Sequence, residues 1–320
     1  MNKVRFDEVD FLRAFGITGV VIIHILTYSL TSPIYKFLWN NLQFVVVSFI
    51  FCSGFVLAYF YHDKFNNVSD TLKWYKKRFI RLALPFWIYL CFHYAFWLTF
   101  PNFFQGLGLS KSVPYFLKSA FFIGGTNLNW LPLLFLQLTF LFPFFVNWTN
   151  KKKILYVYLF FSGFITLILT IFQFPYNHYR LVMWVPWSLV LLFAIYLSIK
   201  QNSDVNSLIT KRRNLLFGIL TFVGFLFLYI LNIDSGKSLN FYNHKYPPDL
   251  FYLLFGVSLT CFFLIIGKMQ IFQNNIIKKI YLFISKNSYQ IFFIHYILFD
   301  FVLTLSKSLV VLRNPLIQFV

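Results

Sequence analysis

Residues 5–24, RFDEVDFLRAFGITGVVIIH, place an arginine and a histidine inside the first of many long apolar runs. Arg13 and His24 are eleven residues apart. At about 100° per residue that spacing falls within roughly 20° of three full helical turns, so the two side chains project from one face, about 16 Å apart along the axis. An ionisable residue in a membrane-crossing helix is costly and as a rule functional. Two on one face predict a polar shaft leading from the membrane surface to a buried histidine, the side chain best suited to exchange protons near neutral pH. Asp10, three residues before Arg13, falls near the same face. It is placed either to orient Arg13 or to pair with an interfacial lysine.

Composition sets the class around this segment. The chain has 320 residues, 59% of them hydrophobic, 23% aromatic and only 12% charged, with a mean hydropathy of +0.69. A soluble domain carries about twice that charge. Apolar runs long enough to cross a hydrocarbon core of about 30 Å recur throughout. They predict spans at about 11–30, 41–61, 82–100, 129–148, 154–173, 183–199, 214–232, 249–267 and 288–306. The expected fold is therefore all-α: a polytopic transmembrane bundle of about nine to ten spans with a cytoplasmic N-terminus, forming one domain over residues 1–320. The tail LRNPLIQFV turns apolar again at the last residue, as though a tenth span were beginning. The first span lacks a small-residue cleavage site and reads as a retained helix.

The net charge of +19 raises a nucleic-acid reading, but its distribution argues against one. Basic residues cluster between alternate spans: Lys73 to Arg81, Lys151 to Lys153, Lys200 to Arg213, and Lys268 to Lys286. The intervening connections, near 31–40, 101–128, 174–182 and 233–248, hold few. That alternation is topology signalling plus attraction to anionic membrane lipid. Cys52, Cys91 and Cys261 fall in spans at unrelated spacings, forming no metal motif and no disulfide framework. No Walker loop, dinucleotide fingerprint or metal-binding helix motif occurs, and no metal site is expected. Connections under 30 residues leave no room for a soluble domain, so any chemistry sits among the helices or at their ends.

The segment LKWYKKRFIRLALPF, 72–86, sets Arg78 and Arg81 at i, i+3 on one helix face at a membrane entrance. An arginine fork suits phosphate oxygens and stays charged when partly desolvated. A topology anchor ahead of a Pro85 helix start explains the same residues. The remaining candidates also carry two readings each. His295, seven residues after Ser288, either lines a site or makes a helix–helix hydrogen bond. Trp130 either serves a site or marks an interface. Ser53-Gly54 either contributes chemistry or permits close helix packing. The loop NHKYPPDLFYLLFG, 243–256, either meets a glycan or starts a helix through Pro-Pro and Asp249.

Taken together, the motifs carry a family resemblance. Arginine, ten residues, then histidine in the first span resembles the type 3 integral-membrane acyltransferases, which modify bacterial surface glycans. SFIFCSGFVLAY, 48–59, looks like that family's serine-glycine-phenylalanine signature, and Arg78-Phe79-Ile80-Arg81 matches its arginine-x-x-arginine motif. NLNWLPLLFLQL, 127–138, is similar to its tryptophan-centred span, and SKNSYQIFFIH, 285–295, to its late serine- and tyrosine-bearing span. The resemblance implies an acyl-coenzyme A donor, acetyl-CoA or succinyl-CoA, with no tightly bound cofactor. It implies a glycan or lipid-linked glycan as acceptor, the bacterial cytoplasmic membrane as location, and proteins of polysaccharide biosynthesis as partners. His24 and Arg13 take the catalytic positions, Arg78 and Arg81 those facing the coenzyme phosphates, and Ser53, Trp130 and Tyr289 supporting positions. The departure is expected at the C-terminus, where the family's last span is incomplete or absent. A polysaccharide exporter or flippase is the competing expectation, separable by whether a mutant loses the acyl ester or the surface polymer.

Overall fold

The computed structural model describes residues 5–65, 67–99, 112–172, 178–203 and 207–308. Among them the chain is helical, with no strand. In order the helices are α1 (Asp7–Leu26), α2 (Pro33–Asn41), α3 (Val45–Tyr61), α4 (Val68–Thr99), α5 (Val113–Ala120), α6 (Trp130–Thr149), α7 (Lys152–Ile171), α8 (Tyr179–Val182), α9 (Trp184–Ser203), α10 (Ser207–Asp234), α11 (Leu250–Ile266), α12 (Asn275–Lys286) and α13 (Ser288–Ser308). Short 3-10 turns join α2 to α3 and lead into α6 and α12. Seven of the described helices are long and apolar enough to cross a membrane, and two shorter apolar segments, Leu250–Ile266 and Ser288–Phe299, run beside them.

The centre of the bundle is built from α1, α3, α9 and α11. Their buried faces carry Leu12, Ile17, Val47, Ile50, Phe51, Ala194, Ile195, Phe251 and Tyr252, all nearly inaccessible. Close approach comes from small residues: a Cβ on Gly54 would stand 2.7 Å from Leu191 Cδ1 and 3.1 Å from Ala194 Cβ. In contrast α7 and α10 are peripheral and turn Phe160, Phe161, Ile219, Phe227 and Ile230 outward, the pattern of helices that face lipid.

Four connections read as loops hold further helices, among them 174–182, which contains the single turn α8. Residues 31–40 form most of α2, started by Pro33 at its first position. Residues 101–128 contain α5, capped by Ser112 accepting from Tyr115 N. The basic stretch 268–286 contains α12, capped by Asn274 accepting from Ile276 N. It presents Ile276, Ile280 and Phe283 outward while burying Tyr281 and Ser285 against α1. The third crossing begins at Val68, well before residue 82, because LKWYKKRF continues the helix below its apolar part. The tail LRNPLIQFV lies outside the described residues.

The interactions at helix ends sort into two levels. At the level of the basic clusters, the first-turn acids of α1, which favour the positive end of the helix dipole, each find a cation. Asp7 pairs with Lys278, Glu8 with Lys268 at 3.2 Å, and Asp10 with Arg5 at 2.8 Å. At the opposite end, Phe241 N donates to Asn40 Oδ1 at 2.8 Å, and Lys237 Nζ reaches the carbonyls of Thr170 and Ile171.

Candidate active site

A cavity of about 1020 Å³ opens at the basic end between α1, α3, α4, α6, α12 and α13. Among the described residues its wall carries six cations, Arg5, Arg13, Lys64, Arg78, Arg81 and Lys286, and a single carboxylate, Asp10. That carboxylate is already engaged, for Arg5 donates to its Oδ2 through both Nε and Nη2, and Ser285 Oγ donates to its Oδ1 at 2.6 Å. Asp10 therefore pairs with Arg5 and not with Arg13 or an interfacial lysine, because the Arg5 side chain reaches along the first turn of α1. Arg13 instead donates to the carbonyl of Cys52 at 3.3 Å, tying α1 to α3.

Arg78 and Arg81 both line this cavity, as their spacing on one face of α4 required. Arg78 Nε is buried without a hydrogen-bond partner among the described residues. Pro85 follows on the same wall, and its missing N–H leaves the Arg81 carbonyl without its usual intrahelical donor. One turn away, Tyr289 Oη donates to the Leu82 carbonyl at 2.6 Å and pins α13 to α4. Ser53 and Tyr289, both singled out by sequence, line the cavity as well.

His24 lies elsewhere. It is absent from the cavity wall and packs against α13, where Tyr296 Oη stands 2.8 Å from its Nε2. The His295 ring is 5.4 Å from the His24 ring, and the Tyr296 ring 4.6 Å. His295 Nδ1 engages the Ile291 carbonyl of its own helix at 3.0 Å, while its Nε2 is buried and unpaired among the described residues. Phe292 belongs to both groups. It lines the cavity, and its ring meets those of His295 and Tyr296 at 5.8 Å each. The expected shaft from Arg13 to His24 is thus divided, with Phe292 as the wall between a cationic chamber and a histidine pair.

The loop between α10 and α11 closes the far side of this pair. Lys245 is turned inward, 6% exposed, and its Nζ donates to Gln43 Oε1 at 3.1 Å. It sits 5.4 Å from the centre of the Trp130 ring and 5.3 Å from that of Tyr246. Trp130 is therefore an inward-facing wall of the opposite end, edge-on to Tyr246 at 5.0 Å. Beside it, Asp249 does start α11, accepting from Tyr252 N at 3.0 Å, while its other oxygen meets His244 Nδ1 at 2.6 Å. Burial pulls the His244 imidazole down, but the hydrogen bond and charge of Asp249 outweigh it, so the group is held above its ordinary value.

Sequence reasoning did not find Tyr296, Gln43 or Phe292 as site residues, and gave Lys245 no role beyond its loop. Tyr296 carried a signal, since it follows Tyr289 by seven residues and so shares its helix face. Gln43 carried a weaker one as a lone amide at the head of an apolar run.

Comparison with curated proteins and with solved structures gives no match. A family model described as an acyltransferase domain, of type 3, matches residues 6–320. Since that match leaves out only the first five residues, the chain belongs to the type 3 acyltransferase family and is a multi-pass membrane acyltransferase.

Proposed function

We propose that this protein is an O-acyltransferase of the bacterial cytoplasmic membrane. It moves an acetyl or succinyl group from acyl-coenzyme A to a cell-surface or lipid-linked polysaccharide. The observation that carries the donor half is the cavity: six cations facing one carboxylate that is already paired. Such a chamber favours a polyanion, and Arg78 and Arg81 offer forks suited to the coenzyme's phosphates. The acceptor half rests on the resemblance to enzymes that modify surface glycans.

In this reading the acyl thioester reaches past Phe292 toward His24. Nucleophilic attack by a sugar hydroxyl needs a base within hydrogen-bond reach of its proton. His24 takes that proton as the new C–O bond forms, and returns it to the coenzyme sulfur as the C–S bond breaks. Tyr296 Oη occupies the place on Nε2 that the acceptor hydroxyl takes over. Arg13 is the cation on α1 that steadies the donor.

The test is mass spectrometry of the surface polysaccharide from wild-type, deletion and His24→Ala cells, with polymer quantity and protein level measured in parallel. Loss of an acetyl or succinyl mass in both mutants, at unchanged polymer yield, is expected. Unchanged acylation in cells that still make the His24→Ala protein would overturn the reading. Polymer trapped inside the cell would replace it with export.

A further inference from the structure

We infer that Lys245 is a catalytic residue of the outer half of this site, its ammonium donating to the acyl carbonyl oxygen as that oxygen gains negative charge. The inference rests on the proposed reading of His24 as the base, and adds to it a residue with its own signature.

Lys245 is a buried cation that, among the described residues, makes no ion pair. Its nearest acid in the chain, Asp249, is engaged by His244 and by the α11 backbone. What holds Lys245 is a neutral amide, Gln43, itself 1% exposed and fixed at two further points. Gln43 Nε2 donates to the Trp39 carbonyl, and the Gln43 carbonyl accepts from Tyr252 Oη at 2.6 Å. Only one of the three ammonium donors is used within the described residues. Burying an unpaired ammonium is costly, and a loop residue escapes that cost by turning outward. This one is turned inward between two aromatic faces.

The direction in which it is aimed matters. Gln43, which holds Lys245, donates to the Trp39 carbonyl, and Trp39 Nε1 donates to Thr27 Oγ1 at 3.0 Å, about one turn beyond His24 at the end of α1. Among the described residues, the titratable groups gathered here are His24 on α1, His295 and Tyr296 on α13, and Tyr179, Tyr242, Tyr246 and Tyr252, with Arg180 over the Tyr179 ring. Not one of these is a carboxylate. A cluster of a lysine and two histidines, with unused donors and no acid, is arranged for a negative charge that arises only during reaction. As the acceptor oxygen attacks, its proton passes to His24 and the carbonyl electron pair moves onto oxygen, where the ammonium meets it. Collapse restores the carbonyl and breaks the C–S bond, and the thiolate leaves with the proton from His24. Burial also pushes the Lys245 ammonium down to about 7, so its charge changes within an accessible pH range.

The experiment measures transfer of labelled acetyl from acetyl-CoA to endogenous glycan in membranes from producing cells, between about pH 5.5 and 9.5. Wild type, Lys245→Arg and Lys245→Met are compared, with protein amount and melting temperature recorded. Wild type is expected to lose kcat as pH rises past about 7, because the ammonium is lost. Lys245→Arg should stay active and lose that alkaline limb, since guanidinium remains charged. Lys245→Met should lower kcat about 10²-fold with the KM for acetyl-CoA unchanged, the size expected for one oxyanion donor. An alkaline limb that persists in Lys245→Arg would belong to His244 and overturn the inference, as would full kcat in Lys245→Met. Should Lys245→Met not fold, the arginine profile alone decides. Transfer that continues in His24→Ala membranes would instead sink the functional reading itself.

Discussion

At the scale of the residue, the site depends on which atom each histidine offers. Tyr296 Oη stands 2.8 Å from His24 Nε2, where either atom can donate, and Nε2 can act as the base only in the tautomer with the proton on Nδ1. Tyr296→Phe removes that bond while keeping the ring. The acceptor hydroxyl displaces that bond in the reacting complex, so kcat is expected to stay near wild type, while loss of the competing bond, worth about 1 kcal/mol, lowers the KM for the acceptor roughly fivefold. A kinetic comparison in membranes checks this, and a fall in kcat would show that Tyr296 acts in the chemical step itself. His244 behaves differently, since both its nitrogens face acceptors: Asp249 Oδ2 and the Ser238 carbonyl, each at 2.6 Å. Only imidazolium can donate to both, and nearby Lys237 opposes it weakly. A folded-state value above the unfolded one means the stabilisation is complete below about pH 6.5. It is then lost as pH rises through the raised value. The melting-temperature difference between wild type and His244→Gln should therefore shrink with rising pH. Lys245 titrates in both proteins and cancels from that difference. Neither contact was legible in the sequence. Arg13 and His24 announced themselves by spacing within one helix, but Tyr296, Gln43 and Lys245 meet their partners only through tertiary folding.

At the scale of the element, periodicity and breakers were readable and register between helices was not. The apolar stretches became helices where hydrophobic length and proline placement required them. The lysines of segment 268–286 mark a basic connection in the sequence, yet Asn274 caps a helix there whose apolar residues recur three to four apart. That helix is pinned to α1 by Lys278 on Asp7 and by Ser285 on Asp10. Ser53-Gly54 shows two adjacent residues serving two ends. Ser53 lines the cavity, whereas Gly54 sits where α3 and α9 touch, with the Leu191 carbonyl only 3.5 Å from where a Cβ would stand. The packing alternative for the pair thus describes Gly54. Overpacking a close helix contact costs about 1–3 kcal/mol. Gly54→Val is accordingly expected to lower the melting temperature of the solubilised protein, with Ser53→Ala leaving it near wild type. Equal melting temperatures for Gly54→Val and wild type would mean that the α3–α9 contact is loose.

At the scale of the whole molecule, the proposed reading assigns two tasks to different depths. Cations that suit a polyanionic donor line the chamber at the basic end, and the histidine pair with Lys245 lies beyond Phe292 toward the opposite end. This division has meaning only if α11 crosses the membrane, since α11 connects the Lys245 loop to the basic end. Its 17 residues rise about 25 Å, at the short limit for a core of about 30 Å. Two contacts nonetheless fix its ends at opposite levels. Lys268, just after α11, pairs with Glu8 at the start of α1, and Phe241, before it, donates to Asn40 at the end of α2. The alternating basic clusters predict an N-terminus inside, and that orientation puts residues before α11 outside and those after it inside. In protein whose Cys52, Cys91 and Cys261 are replaced by alanine, a cysteine at exposed Ser235 should react with a membrane-impermeant maleimide on intact cells. One at exposed Gln270 should react only after permeabilisation. Labelling of both positions from one side would mean that α11 is re-entrant. The Lys245 loop would then belong to the donor face, and the separation of donor chamber from acceptor side would have to be abandoned.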